Sequence, residues 1–142
     1  VIAILAILST EYILVPLTKL LKPEQVEYII EDCDIKCIIT DKLKLENIEE
    51  IDFNGHIISY ETTSKDVASF EEIYKYYNRA YYCDINGHSN AVITYSFGLG
   101  GNPKGIVISH RNLIDSARVV SQYLELKEDD VISGILIFNL DY

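Results

Sequence analysis

Residues 91–105 read AVITYSFGLGGNPKG, passing from an apolar run through a cluster of glycines to a lysine set between proline and glycine. Gly98, Gly100 and Gly101 place three glycines in four positions. Without Cβ atoms such a loop reaches φ > 0 and lets backbone N–H groups close on a ligand, as a cradle for phosphate oxygens requires. Pro103 stiffens the exit, and Lys104 supplies a point charge suited to a polyanion. Spacing excludes the two common phosphate loops. The Walker pattern needs a glycine directly before the lysine and Ser or Thr after it, where this chain has Pro103 and Gly105. In G-x-G-x-x-G counted from Gly98, the last glycine falls on Pro103.

The elements that must position this loop are legible on both sides. Ala91, Val92, Ile93 and Tyr95 form a short apolar run expected of a covered strand. Residues 106–109, IVIS, return as a strand, so the loop joins two strands. Phosphate would then be held by loop amides and Lys104, without the helix N-terminus of a Walker or Rossmann loop. Ser109 caps a helix expected from His110 to about Glu125, with Leu113, Ile114, Ala117, Val120 and Leu124 on its inner face. Residues 127–130 are a polar turn, and residues 131–138 read as the next strand.

Upstream, residues 1–8 are apolar and predict the end of a buried helix feeding a buried strand over 13–17, closed by Pro16. Ser9, Thr10 and Glu11 interrupt the apolar run well short of the roughly 20 residues a membrane span needs, and no basic segment precedes it. Pro23 and Glu24 mark a helix start, and Val26, Ile29 and Ile30 give it an apolar face. A short strand is expected at 37–40, a solvated helix over 41–50, a strand at 56–59 with His56 at its edge, and a short helix over 70–77 capped by Ser69 with Glu72 at the capping-box position. Five of the eleven tyrosines fall in residues 74–83, but only Lys75 and Arg79 accompany them, so this is a partly buried helix and linker and not a single-strand nucleic-acid platform.

Composition bounds the rest. The 142 residues are 49% hydrophobic, enough for one modest globular core. A net charge of -10 and a pI near 4.6 argue against nucleic-acid and anionic-membrane surfaces. Cys33, Cys37 and Cys83 show no C-x-x-C and no zinc spacing, and read as reduced, mostly buried thiols of a cytoplasmic protein. A start at Val1, the absence of Met and an end soon after an apolar run predict a piece of a longer protein or of a decayed gene.

Tyr95, Ser96, Gly98, Gly100, Gly101, Pro103, Lys104 and Gly105 together resemble the phosphate-binding signature of the AMP-forming adenylating enzymes, the superfamily of acyl-CoA synthetases, luciferases and peptide-synthetase adenylation domains. Gly98, Gly101, the opening Tyr and the closing Pro-Lys-Gly match, while Phe97, Leu99 and Gly100 stand where the family usually has Ser or Thr. Residues 109–113, SHRNL, resemble the segment that commonly follows the family's loop, and Leu14-Val15-Pro16-Leu17 its Val-Pro strand, with Glu11 and Tyr12 in place of two glycines. Residues 135–139, ILIFN, resemble its pocket-wall strand, with Leu136 for Pro and Asn139 for His. The resemblance implies a three-layer α/β fold with a largely parallel sheet, residues 1–142 forming part of the large N-terminal AMP-binding domain with the phosphate loop at 95–105. It implies ATP and Mg2+, a carboxylate activated as acyl adenylate, and CoA or a carrier-protein thiol as acceptor. In it Tyr95, Ser96, Gly98, Gly100, Gly101, Pro103, Lys104 and Gly105 would bind nucleotide, with the metal ligand beyond this chain. The chain alone is expected to be inactive, and cutting a parallel sheet at this point is expected to leave an unpaired edge and uncovered apolar surface. A degenerate non-catalytic relative and a generic α/β interaction domain are the alternatives.

Overall fold

A computed structural model of the chain describes residues 1–41, 48, 51–60, 67–76, 83–96 and 103–133. Its elements are α1 (Ile2–Leu8), α2 (Pro23–Asp32), β1 (Cys37–Thr40), β2 (His56–Ser59), β3 (Val67–Ser69), α3 (Phe70–Tyr76), β4 (Asn90–Ser96), β5 (Lys104–Ser109) and α4 (His110–Tyr123). They divide into two compact units, Val1–Thr18 with Tyr82–Tyr142, and Lys19–Tyr81.

The second unit carries the parallel sheet anticipated from sequence, in the order β1-β2-β3. Its core gathers Ile29 from α2, Val67 from β3, and Ile48 and Ile51. Burying an aliphatic side chain of this size is worth about 1.5–3 kcal/mol. Pro23 opens α2 where its missing N–H costs nothing, and the backbone N–H of Lys22 is taken by Gln25 Oε1 at 3.0 Å. At the other end Ile35 N–H reaches back to the Ile30 carbonyl and Asp34 N–H to that of Glu31, a Schellman closure with Asp34 at φ 50°. Ser59 and Ser69, cross-strand partners, are both buried; their hydroxyls are satisfied locally, Ser59 donating to the Tyr60 carbonyl and Ser69 accepting from Glu71 N–H. The next residues after this pair, Tyr60 and Phe70, stack with ring centroids 4.6 Å apart.

Three expectations are corrected here. The short strand β3 was not anticipated, because three residues give too little alternation to read. Ile48 is helical but buried, where a solvated helix was expected; the rest of 42–50 lies outside the described residues, as does 77–82 of the tyrosine-rich stretch. Of the thiols expected to be mostly buried, Cys33 and Cys83 are half-buried and Cys37 is exposed at the start of β1, although desolvation of its sulfur still raises the thiol above its ordinary value.

In the first unit, α1 forms where expected, but none of its residues is buried and Ile2 and Leu5 are exposed. The strand expected over 13–17 shrinks to one bridge, Leu14 parallel to Val92, with Leu14 N–H donating to the Ala91 carbonyl and its carbonyl accepting from Ile93, both at 2.9 Å. The next rung of that ladder would need the N–H of residue 16, which is Pro16. β4 and β5 pair antiparallel in a two-stranded sheet of their own. The inner face expected of α4 is also corrected: Leu113 is half-buried, while Ala117, Ile114, Val120 and Leu124 are exposed, since a two-stranded ribbon gives a helix only a narrow seat. α4 ends in a second Schellman closure, Leu126 N–H to the Ser121 carbonyl with Glu125 at φ 53°. Residues 131–133 form no strand, and the rest of the strand expected over 131–138 lies outside the described residues.

Gly55 precedes β2, and His56 N–H donates to the Lys36 carbonyl at 2.9 Å. A Cβ at Gly55 would collide with the Phe53 ring and sit 2.6 Å from that same carbonyl oxygen. Gly55→Ala is therefore expected to lower stability by about 1–3 kcal/mol, read as an earlier urea midpoint; an unchanged midpoint would refute the close approach.

Candidate functional site

The phosphate-loop candidate is the connection of a hairpin. Asn90 pairs with Ser109; after an irregularity that leaves Ala91 out of register, the ladder runs Val92–Ile108, Ile93–Val107, Thr94–Ile106, Tyr95–Gly105 and Ser96–Lys104. The Ala91 carbonyl serves the other edge, accepting from Leu14. Strand alternation then sorts the side chains. Ile93, Tyr95, Gly105 and Val107 share one face, and Thr94, Ser96, Lys104 and Ile106 the other.

Of the eight residues assigned from sequence, five are described. Tyr95 is buried, Pro103 is buried, Ser96 is half-buried, and Lys104 and Gly105 are exposed. Ser96 and Lys104 stand directly opposite each other at the mouth of the loop, and Tyr95 opposite Gly105 one rung further in. Gly98, Gly100 and Gly101 lie outside the described residues, as do Phe97 and Leu99. Among the described residues Lys104 enters no ion pair, whereas Arg111 and Arg118 both approach Asp115, at 3.5 and 3.6 Å. A hydroxyl and an ammonium group facing one another across the base of a glycine loop suit an anionic, phosphate-like group. Among the described residues no cluster of acidic, histidine and cysteine side chains suits a metal. Thr94, on the same face as Ser96 and Lys104, was missed in the sequence; counting back by two from Ser96 would have found it.

Immediately after β5 the chain enters α4 with no linking residue. Ser109 caps the helix as expected, its Oγ accepting from Asn112 N–H at 3.2 Å. A turn at 86–89 takes the next donors: His110 N–H goes to the Ser89 carbonyl at 3.1 Å and Arg111 N–H to that of Gly87 at 2.8 Å. The first three free amides of α4 are thus spent on protein acceptors, which leaves no helix N-terminus for an anion. The sequence reading likewise placed no helix N-terminus at the loop, without seeing the turn that takes these amides.

A sequence profile for the AMP-binding enzymes matches residues 1–141, and the chain belongs to that family. It is 26% identical over 141 residues to surfactin synthase subunit 1 of Bacillus subtilis and 26% identical over 140 residues to gramicidin S synthase 1 of Brevibacillus brevis. Each alignment takes in 99% of this chain but only 4% and 12% of those proteins, so the chain spans a small part of their length. Among solved structures, the anthranilate CoA ligase AuaEII in complex with anthranoyl-AMP superposes with a TM-score of 0.74 at 26% identity, covering 82% of this chain and 24% of that one. A benzoate CoA ligase from Burkholderia xenovorans shares the fold, with a TM-score of 0.76 at 22% identity over 91% of this chain and 26% of its own. Among the described residues no helix is long and apolar enough to cross a membrane.

His110 is the first residue of α4. Its Nε2 is buried and, among the described residues, has no hydrogen-bond partner. Replacing a buried, unpartnered polar ring with an apolar one costs little, so His110→Phe is expected to leave the thermal midpoint unchanged or higher. A clear drop would instead mark the imidazole as bonded.

Proposed function

We propose that this chain is part of the large N-terminal domain of an adenylate-forming ligase, and that residues 95–105 clamp the β and γ phosphates of Mg-ATP. The observation that carries this reading is Lys104 set opposite Ser96 at the mouth of a glycine loop, in a chain matched to the AMP-binding enzymes along its length. The parent reaction would be attack of a carboxylate on the α-phosphorus to give acyl adenylate and pyrophosphate, then transfer to a thiol of CoA or of a carrier protein. The CoA ligases and peptide synthases among its relatives support that class, as does a neighbour holding an acyl adenylate. Such chemistry belongs in the cytoplasm, where ATP and reduced thiols are available.

In this chain the backbone amides of the loop and the Ser96 hydroxyl would bind phosphate oxygens, and Lys104 would hold its charge beside the departing pyrophosphate. Gly98, Gly100, Gly101 and Pro103 would shape the loop. Phe97, Leu99 and Gly100 leave Ser96 as the only serine or threonine hydroxyl within it, so amides and one ammonium group would carry most of the binding. The same substitutions are the specific ground for the second reading, a relative that has kept the loop and lost catalysis.

The test is a calorimetric titration of the chain with Mg-ATP, alone and as Lys104→Ala. A charge-assisted contact of this kind is worth about 1.5–3 kcal/mol, so the variant is expected to bind about ten- to a hundredfold more weakly. Equal affinity of the two proteins would overturn the assignment of Lys104. The chain alone is expected to show no carboxylate-dependent pyrophosphate exchange, since the resemblance puts the adenine pocket, the metal ligand and the closing domain outside it; measurable exchange would show that expectation wrong.

A further inference from the structure

Tyr95 and Gly105 are the first and last residues of the loop motif, and the hairpin makes them direct cross-strand partners. Tyr95 is 6% exposed although its partner has no side chain to cover it. The position where a Cβ of residue 105 would lie is 3.3 Å from Tyr95 Cζ, 3.5 Å from its Oη and 3.1 Å from Ile93 Cγ2. The tyrosine ring thus fills the space a side chain at 105 would claim, with Ile93 beside it on the same face. A ring lying over a cross-strand glycine is a known way of pinning strand register. Here it has a functional reach, because the very next rung is Ser96–Lys104. A slip of one residue would send Lys104 to the opposite face of the ribbon and away from Ser96.

We propose that Tyr95 and Gly105 are positioning residues and not phosphate ligands: they form a clasp that fixes the hairpin register and thereby holds Lys104 opposite Ser96. The clasp deepens the phosphate-clamp reading, and its nucleotide test rests on that reading. Lys104 projects from the face opposite the clasp, so the tyrosine acts through the backbone and touches no phosphate.

The experiment compares Tyr95→Ala, Gly105→Ala, the double variant and a control, Val92→Ala, which opens space in the same strand beside Leu14 and away from the loop. Mg-ATP affinity, thermal midpoint and residue-resolved amide exchange are measured for each full 142-residue chain. Each clasp variant is expected to weaken Mg-ATP binding by about tenfold, equivalent to about 1.4 kcal/mol. The double variant is expected to be no worse than Tyr95→Ala, because the added methyl no longer meets the ring. Val92→Ala is expected to lower the midpoint without this loss of affinity. Additive losses in the double variant, or a control that loses as much affinity for the same fall in midpoint, would overturn the clasp. If the unaltered chain binds no Mg-ATP, the phosphate reading fails by itself. Exchange then decides the clasp: faster exchange of Ser96 and Lys104–Ile106 in Tyr95→Ala, with Ile108 unchanged, upholds it, and unchanged exchange at those amides refutes it.

Discussion

The hydrogen bonding of β4 on both edges is the constraint on which the candidate site depends. Leu14 holds one edge of this strand through two 2.9 Å bonds, and β5 holds the other. Ala91, Val92 and Tyr95 are buried along it, so β4 can neither slide nor rotate without giving up apolar contacts and ladder bonds together. The glycine loop is therefore delivered from a fixed strand. Its own sequence can then be permissive, because the accuracy lies in the rungs below it.

That arrangement also bears on how an acidic chain could present the proposed anion site. A net charge of -10 repels a nucleotide at long range. The repulsion is spread over the surface and screened within about 10 Å at moderate salt, whereas Lys104 acts at contact distance. The helix that follows adds nothing, since its first amides are bonded to Ser109, Ser89 and Gly87. On the proposed reading, binding at this loop would rest on loop amides, the Ser96 hydroxyl and a single ammonium group, without the helix N-terminus of a strand-loop-helix cradle.

Much of this was readable in the sequence wherever the signal is local. Pro23, Ser69 and Ser109 announced helix starts that the structure places beside them, and the apolar alternation flanking the glycines gave strand, loop and strand. What escaped was set by partners distant in sequence. Pro16 was read as the end of a strand, but its missing N–H limits the pairing of that segment to Leu14 alone. The apolar stripe of α4 was read as an inner face from its spacing; periodicity says which residues want burial, not whether anything covers them, and Ile114, Val120 and Leu124 are exposed. At the site, the motif named the residues but could not say that Tyr95 faces Gly105 or that Ser96 faces Lys104, because register is a property of the folded pair.

Ser69 and Ser109 each end a strand and cap the helix that follows, so neither junction has a residue to spare. An insertion there would turn the helix by about 100° about its axis, or else push the strand's side chains through to the opposite face. Added residues are thereby tolerated only in the connections elsewhere, and the spacing from Lys104 to the first turn of α4 becomes a fixed dimension of the chain. Lys104 and α4 are then coupled mechanically: any shift of the loop strand along its axis is passed to the helix undiminished, with no slack segment to absorb it.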